Sequence, residues 1–159
     1  MPVTVGPSTV TINHDRQFLV CQRDATVHPS GDVGFYSHDT RFVSGYGVTI
    51  NGLPPLLLDA TGIEHFSARH EFMTPRLSLS PGADGGRDGA LAEGTVGFRL
   101  ERSILEGVHE DYDLTSYATH PVRLVLEVAI ESDFADIFDV RARQIVRRGD
   151  IQTTWGRRI

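Results

Sequence analysis

Three aspartates recur at three-residue intervals near the end of the chain, at Asp133, Asp136 and Asp139. On a helical turn, Asp133 and Asp136 would place their Cβ atoms about 5–6 Å apart. That spacing is close to the roughly 5–5.5 Å between the two carboxyl groups of a retaining glycosidase. One hypothesis is therefore a stand-alone glycosidase that uses this pair. A structural role is favoured, because aspartate at a helix start accepts hydrogen bonds from free backbone N–H groups.

A second polar cluster, His38-Asp39-Thr40-Arg41, stands directly before an apolar segment. Arginine can hold a carboxylate through two parallel hydrogen bonds. As a structural residue, Arg41 would tie its loop to an aspartate of the acidic segment. As a functional residue, it would bind a sugar hydroxyl or a partner domain. The structural role is favoured, since a partly buried charge needs a partner.

Other site chemistries lack their motifs in this sequence. His65 and His70 each lie beside a glutamate, but their spacing differs from the helical His-Glu-x-x-His of zinc sites. The sequence has neither a glycine-rich phosphate loop nor a serine-hydrolase elbow. We therefore expect no metal and no cofactor. The single cysteine, Cys21, lies in an apolar run and is predicted to be a buried thiol, which favours a reducing, cytoplasmic compartment.

The elements that must position these residues show a hydrophobic period of two. In residues 94–104 the apolar positions are Val96, Phe98, Leu100 and Ile104, and residues 121–131 alternate in the same way. This pattern is typical of strands with one buried face. Further strands are predicted at residues 9–12, 18–21, 41–50, 65–72, 76–80, 108–114, 140–146 and 151–155. Asn51-Gly52 is a hairpin signal.

The predicted fold class is all-β, an antiparallel, supersandwich-like β-sandwich that forms a single domain over residues 1–159. One short helical turn is predicted near residues 133–139, with Asp133 as its N-cap. A flexible loop is predicted at 81–94, which contains five glycines and no aromatic residue. No apolar run reaches the roughly 20 residues that a membrane-spanning helix needs. All fifteen basic residues are arginine, and the net charge of −6 argues against nucleic acid as a partner.

Aromatic residues make up only 8% of the chain, which bears on sugar binding. An independent carbohydrate-binding module would need a row of exposed rings to stack against sugars. Most phenylalanines lie at apolar or motif positions and are predicted to be core: Phe42, Phe66, Phe72, Phe98, Phe134 and Phe138. The rings predicted to be free for binding are Tyr36, Tyr46, Tyr117 and Trp155.

Three segments occur in a distinctive order. Residues 34–44 read GFYSHDTRFVS, Asn51-Gly52 follows, and residues 132–141 read SDFADIFDVR. Together they resemble the N-terminal domain of bacterial and archaeal glycogen debranching enzymes of the amylo-α-1,6-glucosidase type. The matching family stretches look like G-x-x-x-x-DTR-[FY]-[LV]-S, NG and DFADIFEVR. The third differs here mainly by Asp139 in place of glutamate, and the resemblance covers about residues 10–149.

The resemblance implies an all-β domain that precedes an (α/α)₆ toroid carrying the catalytic carboxylates. No run of paired amphipathic helices occurs in these 159 residues, so we assign no catalytic residue to this chain. The family motifs cover Asp39, Arg41, Asp133, Asp136 and Arg141. We expect these five to form a polar network that holds the DTR loop against the DFADIFD turn. Part of this network would face the catalytic domain and the substrate cleft.

The resemblance also implies partners. The first is the C-terminal catalytic domain of the same polypeptide, and α-glucan is a second. Since the family domain continues past this segment, the chain is expected to be truncated at its C-terminal end. Its last strand would then have an exposed edge, which predicts a homodimer or strand exchange. An independent carbohydrate-binding module is the alternative function, and the stand-alone glycosidase is the least favoured.

Overall fold

The computed structural model of the protein describes residues 8–29, 31–79 and 89–145. Within these ranges the chain forms twelve strands and one short helix. In chain order the strands are β1 (Thr9–His14), β2 (Gln17–Gln22), β3 (Gly34–Ser37), β4 (Thr40–Val43), β5 (Gly45–Ile50), β6 (Leu56–Glu64), β7 (Ser67–Met73), β8 (Leu77–Leu79), β9 (Gly89–Leu91), β10 (Val96–Ile104), β11 (Val108–Ser116) and β12 (Leu126–Glu131). The helix α1 spans Ile137–Arg141.

All strand pairings among the described residues are antiparallel. One four-stranded sheet has the order β1-β2-β3-β4, and a second has the order β11-β10-β7-β6. Two ribbons complete the arrangement, β12-β5 and β8-β9. The structure is therefore the all-β sandwich that the alternating pattern predicts.

The core consists of two buried clusters that share the second sheet. One buried cluster joins Ile12 and Leu19 of the first sheet to Ala68 and Ile104 of the second. A second cluster packs Phe72, Phe98 and Leu100 of the second sheet against the β12-β5 ribbon and the β8-β9 ribbon. Alternation explains both clusters, because every second side chain of a strand points to the same face. Cys21 is fully buried, as predicted.

The β1-β2 hairpin and the Asn51-Gly52 turn are confirmed. Both turn residues have positive φ, 51° and 78°, which a type I′ turn requires, and Ile50 bridges to Leu53 across them. The strand predicted over residues 41–50 is instead two strands, interrupted at Ser44. This interruption lets β4 join the first sheet while β5 pairs with β12.

The prediction of a strand at residues 140–146 is wrong, because the helix runs to Arg141 and residues 142–145 form a turn and coil. The helix itself is confirmed as a single short element, but its N-cap is Asp136 rather than Asp133. The strand predicted at 151–155, with Trp155, lies outside the described residues. So does most of the predicted loop 81–94, whose described end contains β9. No helix of the described residues is long and apolar enough to cross a membrane.

Candidate functional site

Arg41 lies on β4 and is completely buried, with 0% of its surface exposed. Its aliphatic stem passes over Gly34 of β3. A Cβ at Gly34 would lie 2.9 Å from Arg41 Cδ and would also collide with the Val43 carbonyl oxygen. Gly34 also has φ +146°, which side chains rarely allow. The DTR segment therefore needs glycine seven residues before the arginine.

All three nitrogens of the Arg41 guanidinium donate hydrogen bonds. Its Nε donates to Asp133 Oδ1 at 3.2 Å, and Nη2 donates to Asp133 Oδ2, which makes a bidentate pair. Its Nη1 donates to the carbonyl oxygens of Gly31 at 2.7 Å and Val33 at 3.4 Å. Burial opposes the charged form, but the hydrogen bonds and charge of Asp133 outweigh it and raise the pKa of Arg41. The arginine therefore joins two segments that lie 92 residues apart in sequence.

Asp133 also shapes its own loop. Its Oδ1 accepts a hydrogen bond from the Ala135 N–H at 3.2 Å. This turn spans Phe134, whose φ of 51° is unusual for a bulky residue. The Arg41 N–H donates to the Ala135 carbonyl at 2.8 Å, so the backbone repeats the link that the side chains make. Phe134 is left half exposed beside this junction.

The other three motif residues act differently from Arg41. Asp39 is exposed, and its backbone carbonyl accepts from the Ile137 N–H at 2.8 Å. Asp136 caps α1 by accepting from the Phe138 N–H at 2.8 Å. Arg141 is exposed in the last turn of α1, where a positive charge suits the helix dipole, and makes no ion pair with the described residues. Thus Arg41 and Asp133 form the side-chain pair, while the Asp39 carbonyl and the bridge between Thr40 and Asp136 tie the two segments at backbone level.

A second buried network was missed by the sequence analysis. Arg102 of β10 is 2% exposed, and its Nε donates to Glu110 Oε1 of β11 at 2.6 Å. Both terminal nitrogens reach the Ala25 carbonyl, and the guanidinium lies 4.4 Å from the centre of the Tyr46 ring. Tyr46 Oη donates to Glu110 Oε2 at 2.9 Å and contacts Tyr112 Oη at 2.7 Å. Tyr112 Oη also donates to Glu110 Oε2.

Burial shifts the pKa values of the titratable side chains in and beside this network. Desolvation, followed by the nearby negative charge of Glu110, raises the pKa of Tyr46 to about 12. Desolvation and the hydrogen bond to Glu110 also raise the pKa of Tyr112. His70 of β7 is completely buried, and desolvation lowers its pKa despite the contact of Nδ1 with the Arg23 carbonyl. The tyrosines and the histidine are therefore held neutral around one Arg–Glu pair.

The sequence did contain a signal for this network. Along β10 the buried positions are Val96, Phe98, Leu100, Arg102 and Ile104. Arg102 thus occupies an inward position of an otherwise apolar row. An arginine at such a position predicts a buried acidic partner, and the strand register places Glu110 directly opposite.

The prediction about aromatic residues was partly wrong. Phe42, Phe134 and Phe138 are exposed by 42%, 50% and 70%, although they were predicted to be core. Phe42 and Phe134 meet edge to face, with ring centres 5.6 Å apart. Tyr36 was predicted to be free but is 1% exposed, and Tyr46 belongs to the buried network. The three exposed phenylalanines, here called the Phe patch, lie around the junction of the DTR and DFADIFD segments.

The two aspartates considered above as a glycosidase pair both make structural contacts. The carboxylate of Asp133 is paired with Arg41, and that of Asp136 caps the helix. Within the described ranges, no group of three or more histidine, cysteine, aspartate or glutamate side chains could hold a metal ion.

The fold and the two buried arginine networks define an all-β antiparallel sandwich domain whose apolar core contains two buried polar networks. A comparison with family models then identifies the kind of domain. The model for the N-terminal domain of some glycogen debranching enzymes matches residues 12–158. The chain belongs to this family. A search of curated proteins finds no match.

Proposed function

We propose that this chain is the non-catalytic N-terminal β domain of a glycogen debranching-type glycoside hydrolase of the amylo-α-1,6-glucosidase type. Its role is to support the catalytic (α/α)₆ domain of the same polypeptide in the cytoplasm. The family match over residues 12–158 is the observation that carries the proposal. The engagement of Asp133 and Asp136 in structural contacts supports the non-catalytic role.

The Phe patch is the surface that we assign to the catalytic domain. Its three rings are exposed next to a junction that is itself rigidly tied by Arg41 and Asp133. Aromatic residues are enriched in protein interfaces, where a rigid ring covers a large area at small entropic cost. Phe134 is half exposed and also has a positive φ that bulky residues disfavour, and this local strain argues for a functional role of the residue.

The proposal is tested by measuring glucose release from a branched limit dextrin. The chain alone is expected to release none, whereas the complete reading frame that encodes it is expected to be active. The variant Phe138→Ser in the complete protein should lower the thermal stability of the catalytic domain and its activity. Leu58→Ser, at another exposed apolar position, on β6, serves as the control. Turnover by the chain alone would contradict the proposal.

The alternative function is an independent carbohydrate-binding module. The observation in its favour is the Phe patch itself, because exposed rings can stack on the CH faces of sugars. Titration of the chain with glycogen separates the two functions. If Phe42→Ala or Phe138→Ala abolishes glycogen binding but leaves the activity of the complete protein intact, the module is correct.

A further inference from the structure

Several edges of the described sheets are protected against pairing with another chain. The Asn13 N–H of β1 donates to the His65 carbonyl at 2.7 Å, and the Arg41 N–H of β4 donates to the Ala135 carbonyl at 2.8 Å. The edge strand β6 is interrupted by two shifts of register. Covered edges and bulges are usual means by which proteins avoid edge-to-edge association. The outer edge of β12 has neither of them among the described residues, since its register with β5 is unbroken.

The charged side chains of β12 lean towards β5 and away from this outer edge. Thr49 Oγ1 of β5 donates to Glu127 Oε2 at 3.1 Å. The Glu131 side chain lies over Gly45 of β5, where an added Cβ would be 2.9 Å from Glu131 Cβ. Neither glutamate therefore screens the backbone groups of the outer edge.

The opposite face of β12 leaves apolar surface exposed. Val128 and Ile130 are 42% and 64% exposed. They lie directly opposite Val48 and Tyr46, two residues of β5 that pack against the core clusters. A strand added at the outer edge would place its own side chains beside Val128 and Ile130. Among the described residues, this edge thus lacks both a backbone partner and a neighbour for its apolar side chains.

We propose that the outer edge of β12 pairs with β12 of a second copy of the chain, antiparallel about a two-fold axis at Val128. In this register Val128 faces Val128 of the second copy, and Leu126 faces Ile130. The backbone groups of these three residues point away from β5, because Asn51 and Val125 form a hydrogen-bonded pair and the two kinds of pair alternate along the ladder. Every facing pair of these residues is therefore hydrogen-bonded, and apolar side chains meet on one face.

The charges of the segment favour this register. Glu127 lies opposite Ala129 of the second copy. Glu131 lies opposite Val125 and diagonally beside Arg123, so opposite charges meet at both ends of the ladder. A shift by two residues in either direction loses a hydrogen-bonded pair within β12 and sets a glutamate directly opposite a glutamate, which is unfavourable. The edge is therefore self-complementary, as a two-fold interface requires.

Cysteine cross-linking tests the register. Val128→Cys places two thiols opposite each other at a Cα separation of about 5.5 Å, which a disulfide can span. In Glu127→Cys and Ala129→Cys the equivalent Cα atoms would be about 7–8 Å apart, beyond that range. Under mild oxidation at about 1 mM chain, Val128→Cys should cross-link about tenfold faster than either. The native Cys21 is fully buried, so the unaltered chain should form no cross-link.

A change of charge provides the second measurement. Ala129→Lys sets a cation opposite Glu127 of the second copy and should lower the dimer dissociation constant about two- to fivefold in analytical ultracentrifugation. Ala129→Glu should raise it. Thr115→Lys is the matched control, because it adds the same charge at an exposed position of β11, which does not pair with β12. This control should leave the dissociation constant unchanged.

Three outcomes would overturn the proposal. The first is equal cross-linking of all three cysteine variants, and the second is faster cross-linking of Glu127→Cys or Ala129→Cys. The third is an unaltered chain that stays monomeric at the cross-linking concentration, as it would if another segment of the same polypeptide occupied the edge.

Discussion

At the scale of single residues, two buried cations organise the interior. Arg41 and Arg102 are 0% and 2% exposed, and each has one carboxylate partner and at least one carbonyl acceptor. A buried charge is tolerated only when such partners are complete, because desolvation of an ion costs several kcal/mol. Removal of one partner therefore lowers the free energy of unfolding strongly, because it leaves the other charge buried without a counter-charge.

Arg41→Ala is expected to destabilise the fold by about 3–5 kcal/mol, because it leaves Asp133 partly buried without its cation. For a chain of this size, that loss lowers the melting temperature by roughly 6–20 °C. Thermal unfolding followed by circular dichroism measures the change. Arg123→Ala, at an exposed position, should melt like the unaltered protein. An unchanged melting temperature in Arg41→Ala would refute the network.

His70 predicts an acid sensitivity. Burial lowers its pKa in the folded state, so the unfolded chain binds a proton more readily. The stabilising effect of the neutral ring is present above the unfolded pKa of about 6.5 and is lost as pH falls towards the lowered folded pKa. Urea unfolding at a series of pH values should show this decline. In His70→Gln the decline over that window should be smaller, and an identical slope in both proteins would exclude His70 as its source.

At the scale of elements, β12 belongs to a two-stranded ribbon, so one of its edges has no strand partner among the described residues. Its neighbour is β5. The Asn51 N–H donates to the Val125 carbonyl at 2.8 Å, so these two opposite residues form a hydrogen-bonded pair. Hydrogen-bonded and non-hydrogen-bonded pairs alternate along an antiparallel ladder, and the backbone groups of Leu126, Val128 and Ile130 therefore point away from β5. No described strand pairs with this side of β12. The unpaired edge can accept another strand.

The free edge of β12 predicts that the isolated chain forms dimers at high concentration. Val128→Pro removes an outward N–H and should abolish the dimer while the β12-β5 ladder stays intact. Ala129→Pro, whose N–H points towards β5, should instead destabilise the fold. Light scattering over a range of concentrations gives the mass. A monomeric mass for the unaltered chain at every concentration would contradict the prediction.

At the scale of the whole molecule, the Arg102 network joins the second sheet to two parts that do not pair with its strands. Arg102 and Glu110 belong to the second sheet, Tyr46 to the β12-β5 ribbon, and Ala25 to the connection between β2 and β3. The network therefore fixes how these parts pack against each other. Its geometry is satisfied only when all of them are in place.

Glu110→Gln should cost about 3–5 kcal/mol of unfolding free energy, since Arg102 would remain buried without a counter-charge. The double variant Arg102→Met/Glu110→Gln should cost less than the sum of the two single changes. Arg99 and Glu71 provide the control, because they form an exposed pair that also involves β10. Loss of that pair should leave the urea midpoint nearly unchanged. Additive effects at Arg102 and Glu110 would show that the pair is not coupled.

The amino-acid sequence by itself determined the fold class, most strands and the family. These properties rest on local regularities, namely a period of two, a turn dipeptide and short motifs, which are readable along the chain. It also indicated that Arg41 would meet an aspartate of the acidic segment. Only the tertiary structure decided which aspartate that is, and it assigned Asp133 to Arg41 and Asp136 to the helix cap.

The tertiary structure alone also decided which side chains are buried. Phe134 and Phe138 have an apolar character that predicts burial, yet both are exposed, while Arg102 and His70 are buried. Burial depends on which element covers a face, and that covering comes from residues far away in sequence. The contact between the turns at Arg16 and His38 has the same origin, because two hairpin tips separated by more than twenty residues meet through one backbone hydrogen bond. No pattern within either hairpin predicts that meeting.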